Sequence, residues 1–247
     1  MSASRGLLAN GTETIHNYVM VNKPPSKARR KASGESDPDR ADRRRENGEQ
    51  TRAALKRAGR VQFGTLGFEA ASVTSLCEAA GVTAGALYHH FGDKKGLFAA
   101  VAEDLDIELV RLAGQARDKT LSLGGDGWAA FLASIDALLL AGPDPGRRRI
   151  GLVEASAVLG AEAWIEIRKR HGLGALVQTM EQLQSLGLIE PGDSLRRARL
   201  VLGLVYGAME TLPAAATADH EAVRDTRRHV HAMLEGLRRV GTPGESA

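Results

Sequence analysis

The sequence predicts an all-α protein of about nine helices, divided into a small N-terminal and a larger C-terminal helical domain. Three observations favour this fold class. Apolar residues recur at spacings of three and four along most of the chain, which places them on one face of a helix. Glycine and proline interrupt these runs where helix connections are expected. Aliphatic residues far outnumber the aromatic ones, which make up 4% of the 247 residues.

Residues 1–48 are expected to form a disordered basic arm. The first 60 residues hold 14 Lys and Arg against 7 Asp and Glu, and the remainder holds 19 against 23. The arm lacks apolar periodicity and is rich in Pro, Ser, Gly and charge, so it cannot bury enough surface to fold alone. Basic charge at this end favours binding to phosphates through counterion release. Such an arm can lie along a nucleic acid through Arg43, Arg44 and Arg45, although a solvated tail or a later start at Met20 explains it equally well.

Residues 72–91 predict two short helices joined by a tight turn. The first helix spans about 73–80, with Ser72 placed to accept a hydrogen bond from a first-turn amide and Gly81 placed to end the helix with a positive φ angle. Because Cys77 lies on the apolar face and is the only cysteine, we expect a small core residue, with no intrachain disulfide and no nucleophile or redox sensor. The predicted buried face combines Val73, Leu76, Cys77 and Ala80.

The second helix of this segment begins after Thr83, which caps it. Leu87 and Phe91 lie four residues apart and can pack against the first helix. Small residues allow a helix end to enter a major groove about 12 Å wide, and Tyr and His can reach phosphates or base edges. The arrangement therefore predicts a helix-turn-helix that reads DNA. The outward positions of the second helix are Ala84, Gly85, Ala86, Tyr88, His89 and His90.

The segment from about 49 to 107 resembles the TetR family of bacterial transcriptional regulators. The run AGVTAGALYHHF carries most of the resemblance, and the segment FGDKKGL that follows it leads into a fourth helix as in the family. The resemblance implies a three-helix DNA-binding domain over 49–109. Ala71 and Ala86 depart from the family, which often has hydroxyl residues there, and Arg60 and Gln62 stand where it usually buries leucines. The positions that fit the family's first helix and its end are Leu55, Ala58, Gly59, Phe63, Gly67 and Phe68.

The resemblance also implies a DNA contact for each matching residue of the motif and of the fourth helix's start. On physical grounds alone, Tyr88 can instead serve mainly in packing, and the two histidines can be simple exposed polar residues. Backbone contacts are implied for Ser72, Thr83, Tyr88, His90 and Lys94, and base-edge contacts for Ala84, Gly85 and His89.

The remaining helices are predicted from apolar spacing and from the glycine and proline breaks between them. By the resemblance, 110–240 forms an effector-binding and dimerisation domain, followed by a disordered tail at 241–247. In the family the last two helices pair with their copies, and a two-fold dimer matches a two-fold DNA site. Closing the core of a single chain is the alternative use of these helices. The predicted ranges are 94–115, 128–141, 147–159, 161–171, 173–186, 195–211 and 219–240.

A small-molecule effector is expected to bind among the middle helices, where ring-bearing and flexible side chains can line a concave apolar pocket. The same residue types at helical spacing also build plain apolar cores. Arg147, Arg148 and Arg149 are able to attract an acidic effector, or they form a solvated helix start. The candidate pocket residues are Trp128, Phe131, Trp164, Met180, Tyr206 and Met209.

Enzymatic activity is not predicted. The sequence contains no HExxH zinc helix, no GxSxG elbow and no GxxxxGK(S/T) phosphate loop. His229 and His231 are two residues apart and point away from each other on a helix, so neither a metal nor a cofactor is expected. No run approaches the roughly 18 to 20 apolar residues of a membrane span, and we expect a cytoplasmic protein.

The resemblance therefore implies a ligand-responsive regulator, most often a repressor in this family. It would bind a palindromic operator in double-stranded DNA as a homodimer and be released by a small molecule. The alternative is an interaction module that keeps the helix-turn-helix only as a fold.

Overall fold

The structure, a computed structural model, describes residues 38–213 and 220–238. Over these two ranges the chain is helical, and the only β pairing is an isolated antiparallel bridge between Ile189 and Arg238. The all-α prediction is confirmed. The helices are α1 (Pro38–Leu66), α2 (Val73–Ala80), α3 (Ala84–Phe91), α4 (Lys94–Ser122), α5 (Gly127–Ala141), α6 (Pro145–Arg148), α7 (Ala155–Leu159), α8 (Ala161–Arg170), α9 (Gly172–Ser185), α10 (Ser194–Thr211) and α11 (His220–Glu235), and a π-helical segment, Arg149–Glu154, joins α6 to α7.

The first helix is longer than the sequence suggested. Helix α1 begins at Pro38, so residues 38–48, which the sequence predicts as part of a disordered arm, are helical. Proline suits a first helical position because its missing amide proton has no partner there in any helix. Six of the ten residues at 39–48 are Arg, Ala or Glu, which carry little helix penalty, and the helix of 49–66 extends backward through them despite Asn47 and Gly48. The predicted arm over 1–37 lies outside the described residues.

The N-terminal helices share one apolar core with part of the C-terminal region. Phe63 of α1 and Phe98 of α4 pack edge to face with ring centroids 5.2 Å apart, and Phe68 contacts Phe98 at the same distance. Ile150 of the π-helical segment and Ala155 of α7 are fully buried in the same cluster. The core beneath the helix-turn-helix therefore reaches beyond residue 109, the predicted end of the DNA-binding domain.

Polar residues on α1 replace some of the expected packing. Gln62, which stands where the family usually buries a leucine, donates from Nε2 to the Ser75 carbonyl at 2.9 Å and accepts from the Ser75 hydroxyl at 2.8 Å. Arg60 forms an ion pair with Glu108 of α4 at 2.6 Å. Hydrogen bonds to α2 and an ion pair with α4 thus hold α1 where apolar contacts are fewer.

Helices α5, α9, α10 and α11 enclose a second apolar core. Ile135, Met180 and Val205 are almost fully buried within it. The predicted helix over 147–159 is interrupted by the π-helical segment, and α4 continues to Ser122, well beyond the predicted end near 115. Helix α11 ends at Glu235, and the last residues of its predicted range lie outside the described ones. Among the described helices, none combines the length and apolar content that crossing a lipid bilayer requires.

Candidate nucleic-acid interface and ligand cavity

The helix-turn-helix forms as its local sequence predicts. The Ser75 amide donates to the Ser72 hydroxyl at 3.0 Å, and the Ala86 amide donates to the Thr83 hydroxyl at 3.3 Å. Gly81 ends α2 with a φ of 67°, a left-handed conformation that favours glycine. Apolar residues of the two helices, Leu76 and Leu87, are fully buried and join the pair to the N-terminal core.

The outward face of α3 is small at its start and polar at its end. Ala84 and Gly85 are exposed, and a side-chain carbon built on Gly85 would meet only the Thr83 hydroxyl, at 3.8 Å. Tyr88 is 52% exposed, and its hydroxyl is a hydrogen-bond donor at the protein surface. His89 is exposed beside it. A helix with this face can approach a groove closely at one end and hydrogen-bond to phosphate or base edges at the other.

His90 and Lys94 are less accessible than the sequence suggested. His90 is half-buried, with its ring centroid 5.2 Å from that of His89 and its Cε1 atom close to Gly48 of α1. The Lys94 ammonium donates to the Phe68 carbonyl at 2.8 Å and lies 4.3 Å from the centroid of the Phe68 ring. Lys94 thus fastens the loop after α1 to the start of α4, and its implied phosphate contact remains a prediction.

A cavity of about 710 Å³ lies among α4, α5, α9 and α10. Its volume falls within the range of small-molecule sites in proteins, roughly 300–1,000 Å³. The wall combines aliphatic and polar residues, and the polar side chains come mainly from α9. The wall includes Leu109, Phe131, Ile135, Leu138, Leu176, Leu202, Val205 and Met209, together with Asp106, Arg117, Gln178, Glu181, Gln182 and Tyr206.

The six candidate pocket residues separate into three groups. Phe131, Tyr206 and Met209 line the large cavity. Trp164 instead lines a smaller cavity of about 20 Å³, which shares Asp106, Leu109, Tyr206 and Met209 with the large one. Trp128 and Met180 line neither cavity and pack in the second core, where the Trp128 indole N–H donates to Glu235 at 2.7 Å.

Sequence reasoning missed the charged residue of the cavity that is most deeply buried. Asp106 is 3% exposed, and its Oδ2 atom accepts a hydrogen bond from the Gly172 amide at 2.8 Å. Burial raises the pKa of this carboxyl, although the Gly172 hydrogen bond and the positive charge of Arg168 act in the opposite direction. Burial likewise raises the pKa of Tyr206 to about 12. An aspartate next to the apolar stripe of α4 was the available signal.

The three consecutive arginines do not form a solvated helix start. Arg147 donates to the Ala141 carbonyl at the end of α5 at 2.8 Å and also contacts Glu108 at 3.1 Å. Arg148 donates to the Met209 carbonyl near the end of α10 at 2.8 Å, and Arg149 donates to the Thr65 carbonyl near the end of α1. Each arginine therefore donates to a carbonyl in the last turn of a helix, where few backbone donors remain.

Contacts beside the π-helical segment join α1 to the C-terminal region. The Phe68 amide donates to the Glu154 carboxylate at 2.8 Å. Gly64 and Gly146 bring their backbones together, since a side-chain carbon on Gly64 would lie 3.0 Å from the Gly146 Cα. The residues that position the helix-turn-helix are thus in direct contact with residues next to the smaller cavity.

Two family models match the chain. The model described as bacterial regulatory proteins of the tetR family matches residues 55–101, and the model described as the tetracyclin repressor-like C-terminal domain matches residues 128–237. The first range holds the helix-turn-helix, and the second holds most of the cavity wall.

Similar proteins carry regulator names. An HTH-type transcriptional repressor of Mycobacterium tuberculosis is 32% identical over 44% of this chain and 59% of its own length, and AcnR of Corynebacterium glutamicum is 43% identical over 22% and 29%. These matches span less than two thirds of either relative. The crystal structure of a TetR-family regulator from Pectobacterium atrosepticum has a TM-score of 0.63 and 30% identity, and covers 79% of this chain and 98% of its own.

Proposed function

This chain belongs to the TetR family of bacterial transcription regulators, and on that premise we propose that it is a cytoplasmic, ligand-responsive repressor. It binds a palindromic operator as a homodimer and leaves the operator when a small molecule fills the cavity. The observation that carries this proposal is the pairing of an exposed α3 face, small at one end and polar at the other, with a cavity of about 710 Å³ in the same chain.

The proposed DNA contacts follow the motif. Ala84, Gly85 and His89 approach base edges, and the Tyr88 hydroxyl donates to a phosphate. The exposed ends of α2 and α3 bring Ser72 and Thr83 to the DNA backbone. His90 and Lys94 contribute secondary phosphate contacts, because each already contacts another part of the protein.

The proposed partner in the dimer is a second copy of this chain, paired through α10 and α11. On α10, Leu200 is 70% exposed, and Gly203 and Gly207 follow it on the same exposed face. A side-chain carbon at either glycine would meet nothing within 4 Å in one chain, so a second helix can approach closely there. Met233 of α11 is 62% exposed as well. A two-fold dimer would present one α3 helix to each half of a palindromic site.

Release from DNA is proposed to be a population shift. Met209 and Tyr206 belong to the walls of both cavities, and the Met209 carbonyl is held by Arg148, next to the π-helical segment. That segment holds α1 through Arg149 and Glu154. The two states differ in the spacing between the α3 helices of the two protomers, and a ligand that binds one state more tightly shifts the protein toward it. A difference of about 1.4 kcal/mol in the ligand's binding free energy between these states changes operator affinity tenfold.

The test is selection of genomic DNA fragments by the purified full-length protein, followed by gel shifts on the recovered fragments over a salt series. We expect a two-fold sequence motif with half-sites about one helical turn apart. Binding that is sensitive to salt but independent of sequence would reject the operator proposal and support the interaction-module alternative.

A further inference from the structure

The large cavity contains a buried carboxylate with unused hydrogen-bonding capacity. Oδ2 of Asp106 accepts from the Gly172 amide, and no other hydrogen bond to this side chain occurs within residues 38–213 and 220–238. No ion pair within 4.0 Å joins Asp106 to any Lys, Arg or His of these ranges. Asp106 lines both the large and the smaller cavity, and its Oδ1 atom accepts no hydrogen bond within the described residues. Because, of these two, only the large cavity has room for a small molecule, a donor on a ligand bound there can reach this carboxylate.

The positive groups around Asp106 are engaged elsewhere. Arg168 stacks on the ring of Tyr206, with its guanidinium carbon 4.1 Å from the ring centroid, and is not part of the cavity wall. His171 contacts Glu103 at 2.9 Å, and Arg170 contacts the same carboxylate at 2.8 Å. The positive charge of Arg168 reduces the cost of burying Asp106, and neither arginine is part of the cavity wall.

The other two charged residues of the wall, one positive and one negative, do not make the cavity favourable for an anionic ligand. Arg117 and Glu181 both line the cavity, and Arg117 is paired with Asp118 at 2.9 Å. The hydroxyls of Ser134 and Thr179, which also line it, already donate to carbonyls of their own helices. The rest of the wall combines aliphatic and aromatic residues, including Leu109 and Phe131, with uncharged polar ones, Gln178, Gln182, Ser185 and Tyr206.

From these contacts we infer that the cavity takes a lipophilic cation, an apolar molecule with an ammonium or similar nitrogen that donates to Asp106. A buried carboxylate without a countercharge is costly, and a cationic donor removes this cost while forming a charge-assisted hydrogen bond. An anionic ligand would be repelled at the same position. This inference rests on the proposed function only for the identification of the cavity as the effector site.

The test uses three probes with one naphthylhexyl body that ends in a primary ammonium, a hydroxyl or a carboxylate. Each is titrated into the full-length protein at neutral pH by calorimetry. We expect the ammonium probe to bind about tenfold or more tightly than the hydroxyl probe, and the carboxylate probe to bind most weakly.

The matched variant is Asp106→Asn, which keeps the shape of the side chain and an oxygen for the Gly172 amide. It should bind the hydroxyl probe about as well as the wild type, which shows that the cavity is intact, and should lose the preference for the ammonium probe. Glu162→Gln is the control, because Glu162 is an exposed carboxylate of α8 outside the cavity wall, and it should keep the preference.

Different results separate this inference from the proposed function. Equal binding of the three probes, a preference for the carboxylate, or a preference that survives in Asp106→Asn would each overturn the inference and leave the regulator proposal standing. Failure of all three probes to bind would overturn the inference as well. Ammonium binding that depends on Asp106 but leaves operator binding unchanged would support the inference and reject the effector role of the cavity.

Discussion

The buried Asp106 side chain lowers the stability of the fold when it is charged, and the same side chain is proposed to bind the ligand. Its carboxyl is buried at the edge of the cavity, and burial raises its pKa, with the Gly172 amide and Arg168 opposing this effect. Glu103, which faces it from the same helix, raises the pKa further, and His171 lowers it. A group of this kind at a functional site destabilises the fold in its charged form.

We therefore predict that Asp106→Asn stabilises the protein at neutral pH. When the folded-state pKa of an acid lies above its unfolded value, about 3.9 for aspartate, the folded protein holds more protons between these two values. The free energy of unfolding then falls as the pH rises through this window, and the asparagine variant lacks this loss. Thermal melts should show an increase of a few degrees, since about 1 kcal/mol corresponds to about 2–4 °C at this chain length.

The stabilisation should shrink as the pH is lowered from the folded-state pKa of Asp106 toward its lower unfolded value, because the folded wild-type protein gains its proton first in this window. Glu162→Gln should change the melting temperature little over the same pH range, because Glu162 is exposed. A melting temperature for Asp106→Asn at or below that of the wild type at neutral pH would contradict the assignment of a buried, costly carboxylate.

Tyr88 allows a single hydroxyl to be tested on the proposed reading face. Tyr88→Phe removes the hydrogen-bond donor and keeps the ring, and the residue is already 52% exposed, so the fold should be unaffected. We expect the operator affinity of the dimer to fall about a hundredfold, because each of its two copies of Tyr88 loses a hydrogen bond to a charged phosphate that is worth about tenfold. Gel shifts measure the change, and Leu123→Phe on the distant exposed end of α4 serves as the control. Unchanged affinity would mean that Tyr88 only packs.

At the scale of elements, the π-helical segment Arg149–Glu154 is the connection between α1 and the cavity region. Its first residue donates to the Thr65 carbonyl, and its last accepts from the Phe68 amide. Ile150 within it is fully buried in the N-terminal core. π-Helical turns inside α-helices are frequent at functional sites, and this one lies next to the smaller cavity.

We predict that Glu154→Ala loosens this connection. The half-buried Phe68 amide loses its acceptor, and the free energy of unfolding should fall by about 1–2 kcal/mol. Hydrogen exchange of the Phe68 amide should be faster than in the wild type. Glu154→Gln keeps an oxygen acceptor at the same reach and should be milder on both measures. Equal exchange in all three proteins would show that this hydrogen bond does not hold the loop.

At the scale of the whole molecule, α10 and α11 carry large apolar side chains that a single chain leaves exposed to solvent. Leu200 and Met233 are 70% and 62% exposed, and the helices that carry them otherwise pack into the second core. Pairing of two copies there would bury these residues and relate two reading helices by a two-fold axis.

We predict that Leu200→Glu yields a monomer. A carboxylate at the centre of an apolar two-fold contact would meet its own copy, which costs both burial and repulsion. Light scattering after gel filtration should show half the wild-type mass, and operator binding should weaken strongly. Leu123→Glu is the matched control, because Leu123 is 78% exposed and lies outside the proposed contact. A dimeric Leu200→Glu protein would reject this surface as the interface.

Features that depend on neighbours in sequence were predicted well. The caps Ser72 and Thr83, the left-handed Gly81 and the bounds of α2 and α3 agree with the structure, because each rests on hydrogen bonds and side-chain spacings within a few residues. The start of α1 differs from the prediction, because the charged residues before residue 49 carry little helix penalty and do not end the helix. The π-helical segment has no comparable local signal, and its contacts are with distant residues.

The sequence by itself determined the all-α fold, the helix-turn-helix and the family. Helix periodicity, caps and turns depend on residues only three or four positions apart, so local sequence is enough to predict them. Only the tertiary structure decided which of the large apolar side chains fill a core and which line a cavity. Phe131 borders the cavity and Met180 does not, although both are almost fully buried. It also decided that Asp106 faces this space, since a cavity is the volume left over when distant helices pack, and no single helix encodes that volume.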